Sequence, residues 1–322
     1  MTVQHLPQMS TIGLLGKLPQ EADFVREGGA GPALLALDRF LVSSIEALNG
    51  ARASHCASAV RFAVAVPEAG AHVVGVLVPS HDQVGREFPL AVCTVVTPLR
   101  SFPLATLPLA AGEFFDGAEE VAIALASGSH GREERQDLLQ GIAPIAGAAF
   151  AQAEAAVQQA LERDSVADFL GRTFGEQGNV HAQARYGFYT LLSAAQAAQA
   201  EASQRGGTVL DCPIAIDVDL IAWLALVEQL VGSCPLDCFW IEAAEPRLLL
   251  TVNGPSPQVI RYLADPAVSG PRLWPLRTTS APALDYALHA AALPDGWPNP
   301  DSDGPLVELL GQVEQLAQRF TP

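Results

Sequence analysis

Between residues 32 and 48 the apolar side chains of Leu34, Leu35, Leu37, Phe40, Leu41, Ile45 and Leu48 recur with a period near 3.6, which predicts an amphipathic helix. Pro32 suits its first turn and Asn49-Gly50 its stop. Ile12-Gly13-Leu14-Leu15 reads as the start of a strand, followed by a loop over 16–25. Three more strand-like runs, 60–66, 72–78 and 90–96, are separated by short turn-rich segments such as Pro67-Glu68-Ala69-Gly70, which favours an antiparallel meander. The second and third are apolar without clean alternation, so both of their faces should be covered.

From 113 to 204 the pattern changes. Ala, Glu and Gln dominate, β-branched residues are few, and several helices are expected, most clearly over 133–163 and 187–205. Gly206-Gly207 reads as a boundary. Strand patterns return at 213–218, 238–242 and 247–252, with a helix over 219–231 that Asp219 or Asp217 would cap and Gly232 would stop. Residues 256–264, 282–292 and 305–320 look helical, and 294–305 reads as a mobile Pro/Asp/Gly linker. The resulting expectation is an α+β protein, a mainly antiparallel sheet with helices packed around it. It is divided into an N-terminal α+β region (1–110), a helical region (111–205) and a C-terminal α+β region (206–322).

Composition narrows the function. Hydrophobic residues make up 49% of the 322 and charged residues 16%, enough apolar material to exclude disorder along the whole chain. There are 18 basic and 35 acidic residues, a net charge of −17. That balance argues against nucleic acid and anionic membrane surfaces as partners. The acidity is uneven: 7 basic against 8 acidic in 1–110, 6 against 13 in 111–205, and 5 against 14 in 206–322. Five irregularly spaced cysteines do not form a disulfide framework. With no leader-like start and no apolar run of about 20 residues, a cytoplasmic protein is expected.

Motifs for catalysis fail one by one. Gly13-x-x-Gly16-Lys17 lacks the spacing of a Walker loop, and Leu18 stands where that loop needs Ser or Thr. Cys234 and Cys238 are half a zinc site at most, with Cys212 the nearest other thiol, and core positions suit them better. The histidines form no metal-ligand array, and no Gly-x-Ser-x-Gly elbow occurs. No catalytic residue, cofactor or metal site is therefore expected. One segment does stand out. Residues 79–89, Pro-Ser-His-Asp-Gln-Val-Gly-Arg-Glu-Phe-Pro, link two apolar strands with a loop longer and more charged than a hairpin needs.

Two motifs carry a resemblance. Gly13-Leu14-Leu15-Gly16-Lys17-Leu18-Pro19 with Asp23-Phe24-Val25 resembles the N-terminal signature of the TagF (ImpM) family, accessory factors of bacterial type VI secretion. Gly75-Val76-Leu77-Val78-Pro79-Ser80, Asp82, Val84-Gly85-Arg86 and Phe88-Pro89-Leu90 resemble a second signature of that family, and Val60-Arg61-Phe62-Ala63 lies between the two. The likeness is firm over about 11–98 and weaker at Phe239-Trp240 and Arg247-Leu248-Leu249-Leu250. The chain departs at Ala22, where the family favours glycine, and at Phe40, where tryptophan is common.

The resemblance implies a post-translational repressor of type VI secretion that binds the forkhead-associated scaffold protein of that system, and not an enzyme. Lys17, Asp23, Phe24, Asp82 and Arg86 are the candidate partner-binding residues, with Asp23 and Arg86 near enough to pair. The alternatives are a hydrolase or nucleotide-dependent enzyme using loops 16–24 and 79–89, or a structural accessory subunit.

Overall fold

The computed structural model describes residues 8–28, 31–48, 58–97, 103–175, 178–200, 207–242, 246–265 and 268–320. Asn49, Gly50 and Gly206 lie outside them. The strands are β1 (Gln8–Met9), β2 (Gly13–Gly16), β3 (Val25–Glu27), β4 (Val60–Val66), β5 (Ala71–Val78), β6 (Leu90–Thr97), β7 (Thr208–Cys212), β8 (Leu236–Ile241), β9 (Arg247–Val252) and β10 (Leu273–Pro275). The earlier helices are α1 (Pro32–Ala47), α2 (Leu107–Ala110), α3 (Gly112–Ser127), α4 (Arg132–Gln140), α5 (Gly147–Arg163) and α6 (Val166–Phe174). The later ones are α7 (Val180–Ala200), α8 (Asp217–Val231), α9 (Val259–Ala264), α10 (Ala281–Leu288) and α11 (Leu306–Ala317).

All ten strands join one sheet in the order β10-β7-β9-β8-β4-β5-β6-β2-β3, with β1 beside β2 on the free edge of β6. Every pairing is antiparallel except β10 with β7. The α+β expectation, a mainly antiparallel sheet with helices around it, is what the chain adopts. The seam between the N-terminal and C-terminal strands is β4–β8, where Phe62 faces Phe239 across the ladder and Ala63 faces Cys238.

Alternating side chains sort onto two covered faces. Val74, Val76, Val92, Leu210, Cys238 and Trp240 enter the larger core beneath α2–α8 and α11. Phe62, Val64, Val73, Cys93 and Phe239 enter a smaller core beneath α1 and α9. Burial on both faces explains why β5 and β6 show no polar alternation. Phe62 and Trp240 are buried, as aromatics on apolar strands should be, and Phe88, in the loop before β6, is buried as well.

Several elements differ from the pattern reading. No strand forms over 213–218; β7 lies earlier, and Pro213, which lacks a ladder donor, ends it. The next residues turn into the start of α8, where Asp219 Oδ2 accepts from the N–H groups of Ala215 and Ile216 at 3.0 and 3.1 Å. Asp219 is thus the acid that caps this helix. The helix expected over 133–163 is two, α4 and α5, because Gly141 and Pro144 interrupt it. The one expected over 187–205 begins at Val180, with Asn179 Oδ1 accepting from Ala182 N at 3.0 Å. Short β3 and β10 carry too few residues to show a period.

Residues 294–305 are docked against α7 and α11. Arg185, buried on α7, donates to the carbonyls of Pro294 and Trp297 at 2.6 Å each and of Ala287 at 3.1 Å. Trp297 packs on Phe188 and donates its indole N–H to Gln312. Among the described residues no helix is long and apolar enough to cross a membrane.

Candidate functional site

The two motif loops meet at one end of the sheet, as β2 and the β5–β6 connection require. Gly16 adopts φ +134°, and a Cβ there would overlap Pro89 O and Leu90 Cα. Glycine at this position therefore lets the first loop lie directly on the second. Ser80 Oγ donates to Lys17 O at 2.7 Å, and Gln83 N donates to Glu21 O at 2.9 Å.

Within 79–89 the chain folds back on itself. His81 bridges to Glu87, Asp82 N donates to Arg86 O at 3.1 Å, and Gly85 closes the turn at φ +83°. The Asp82 carboxylate, fully buried, is the hub. Its Oδ1 accepts from Val84 N (3.1 Å) and Arg86 N (2.8 Å). Its Oδ2 meets Lys17 Nζ at 2.9 Å and Arg86 Nε at 2.6 Å. Those four donors match the acceptor capacity of a carboxylate. Burial alone would raise this acid; the hydrogen bonds from Lys17 and Arg86, with the Lys17 charge, outweigh it and hold the carboxyl well below the usual range.

Lys17, the chain's one lysine, is buried over the Phe24 ring at 5.1 Å from its centroid. Phe24 in turn meets Phe88 edge-on, with centroids 4.8 Å apart. Of the five residues singled out in the sequence, Lys17, Phe24, Asp82 and Arg86 form one constellation. The fifth, Asp23, does not complete the expected pair with Arg86. Its Oδ1 accepts from the adjacent Phe24 N at 2.8 Å, while Arg86 turns to Asp82 and donates to Ala22 O at 2.8 Å. A carboxylate already fixed four residues away inside the same turn is the nearer partner. Ala22 takes no left-handed conformation, so alanine fits where the family favours glycine.

The pattern reading missed three contributors. Arg135 on α4 donates to Glu21 Oε1 at 2.9 Å and Glu27 Oε1 at 2.7 Å, bracing the first loop from behind. Glu21 carries the other half of that brace. Val84, at the tip of the second loop, is 71% exposed, and Phe24 and Arg86 are exposed as well. Val84 stands in the second motif, and as an apolar residue in a loop of charges it could have been singled out. What the ensemble presents outward is an apolar spot with one guanidinium edge, rigidly held by a saturated carboxylate. Among the described residues no three His, Cys, Asp or Glu side chains are arranged to hold a metal ion.

Residues 13–142 match the model of the TagF N-terminal domain, type VI secretion system-associated. This stretch is similar to that domain. The matched stretch holds both motif loops, strands β2 to β6 and helices α1 to α4, so the Arg135 brace lies inside it. Among solved structures, the chain is similar to PA0076 from Pseudomonas aeruginosa PAO1. The two are 16% identical with a TM-score of 0.47, over 81% of this chain and 96% of that one. A search of curated proteins finds no match.

Proposed function

We propose that this type VI secretion-associated protein is a cytoplasmic, post-translational repressor that acts by binding another protein through the tip formed by its two motif loops. The observation that carries this reading is the saturated Asp82 hub, which orders Val84, Phe24 and Arg86 at the surface. A tip fixed before contact loses little conformational freedom on binding. The same hub speaks against the two loops as an enzyme site: Asp82 has no lone pair left to act as base or ligand, and Lys17 is turned inward onto it. The proposed partner is the forkhead-associated scaffold protein of the secretion system, the one the TagF resemblance implies. Arg86 would offer its outer edge to an acidic or phosphorylated group there.

The test is Val84→Asp and, separately, Arg86→Ala, each checked for fold by circular dichroism. Both are then assayed for scaffold capture and for secretion in a strain lacking the wild-type copy. Lost capture with derepressed secretion is the expected result. Folded variants with unchanged capture and unchanged repression would exclude the tip as the contact surface.

A further inference from the structure

Helix α1 covers the smaller core with one face and leaves a stripe on the outside. Its exposed positions are Pro32, Leu35, Arg39, Val42 and Glu46, which follow a helical spacing. Two of them are large apolar side chains, Leu35 at 52% and Val42 at 38% exposure. Beside the N-terminal half of the helix an open groove of about 600 Å³, walled by Leu15, Leu34 and Leu35, separates it from the β2–β3 hairpin. The carboxylates along this groove are neutralised within the chain: Asp38 pairs with Arg26 at 2.6 Å and Glu27 with Arg135 at 2.7 Å. Arg39 and Glu46 are left over, and among the described residues no ion pair engages either. They stand two turns and about 10 Å apart along the helix axis, too far to meet each other.

A stripe with apolar side chains and one free charge of each sign is complementary to itself. We propose that the outer face of α1 forms a two-fold contact with α1 of a second copy of this chain. A two-fold axis across the middle of the stripe runs the helices antiparallel. Arg39 of each copy then lies beside Glu46 of the other, and Val42 of each packs by Leu35 of the other at the mouth of the groove. The net charge of −17 favours this place: residues 1–110 hold 7 basic against 8 acidic side chains, whereas the rest of the chain would repel a second copy. A partner surface of a single sign would set one of the two stripe charges against its own kind. A helix of 16 residues is about 24 Å long, so the contact is small and the dimer should dissociate in the micromolar range. This face is distinct from the Val84 tip, and its test does not depend on the tip's role.

The experiment is sedimentation equilibrium of the full chain from about 1 to 200 μM, where a monomer–dimer equilibrium is expected. Val42→Glu sets a carboxylate against Leu35 of the other copy and should weaken the dimer by about tenfold or more. Arg39→Glu and, separately, Glu46→Arg place like charges together twice across the axis, and each should weaken it by about tenfold. The double variant Arg39→Glu/Glu46→Arg restores opposite signs and should return to within about threefold of wild type. The positions are exposed, and Glu and Arg are good helix formers, so all four variants should keep the wild-type circular dichroism spectrum. A dimer that Val42→Glu leaves intact, or a double variant as weak as the singles, would overturn the assignment. So would a monomer at every concentration, which would give the stripe to a different protein.

Discussion

Arg135 Nη1 lies 2.9 Å from Glu21 Oε1, and the same guanidinium reaches Glu27 Oε1 at 2.7 Å, across more than 100 residues of sequence. The helical stretch after the meander thus holds the loop before it. Arg135→Met is expected to lower stability by about 1–3 kcal/mol, since it leaves two carboxylates without their partner, one of them partly exposed. The urea midpoint should fall and amide exchange should rise over residues 20–27. Exchange unchanged in that segment would show that the brace does not order the loop.

The Asp82 hub makes a prediction about acid. Its carboxyl sits below the ordinary value of 3.8 in the folded chain. Its contribution is therefore present above 3.8 and lost as pH falls through the lower folded value. Urea midpoints of the wild type should drop more steeply below about pH 4 than those of Asp82→Asn. Parallel curves for the two proteins would contradict the hub.

Asp237 predicts the opposite slope. Burial pushes its carboxyl from 3.8 up to about 7, against the opposing hydrogen bonds from Thr251 Oγ1 (2.6 Å) and Ala65 N (2.7 Å). Between those values the unfolded chain has released the proton while the folded chain retains it. Stability attributable to this group therefore falls as pH rises from about 4 to 7, by at most about 4 kcal/mol. Asp237→Asn should flatten that decline in a series of urea melts, and an unaltered pH slope would refute it.

Trp240 seals the seam between the two halves of the sheet. It is fully buried, meets Phe115 with centroids 5.0 Å apart, and pairs across the ladder with Arg61. Trp240→Ala should cost about 3–5 kcal/mol. A thermal midpoint within a degree or two of wild type would mean that the seam is not carried by this side chain.

Arg185 holds residues 294–305 through backbone carbonyls rather than through apolar packing alone. Arg185→Met leaves those part-buried carbonyls without their donor, at a cost of about 1–3 kcal/mol where water cannot replace it. Limited proteolysis should then cut within 294–305 at a protease concentration that spares the wild type. Equal resistance would show that Trp297 and its neighbours suffice.

Much of the fold was legible in the chain. The 3.6-residue period of 32–48 and the apolar runs at 60–66, 72–78 and 90–96 fall on α1, β4, β5 and β6, because the periods of exposure and burial survive in any tertiary setting. Where polarity and burial part company, the pattern misleads. The start of α7 carries buried Gln183 and Arg185, so its first two turns look like surface or loop. At 213–218 an apolar run resembles a strand, but Asp219 draws its backbone N–H groups into a helix cap.

The residues of the tip divide in the same way. Lys17, Phe24, Asp82 and Arg86 could be named from two motifs, while the positive φ of Gly16 and Gly85 that lets their turns form came from the structure. Which charge meets which was decided by the tertiary structure. Asp23 lies next to Phe24 and accepts its N–H, while Arg86 finds Asp82 four residues away inside its own turn. Arg135 joins from a distant helix. A sequence specifies local backbone preference and which faces seek burial, since both depend on near neighbours. Ion pairing and the β4–β8 seam depend on distances between segments far apart in the chain, and those exist only after the sheet has closed.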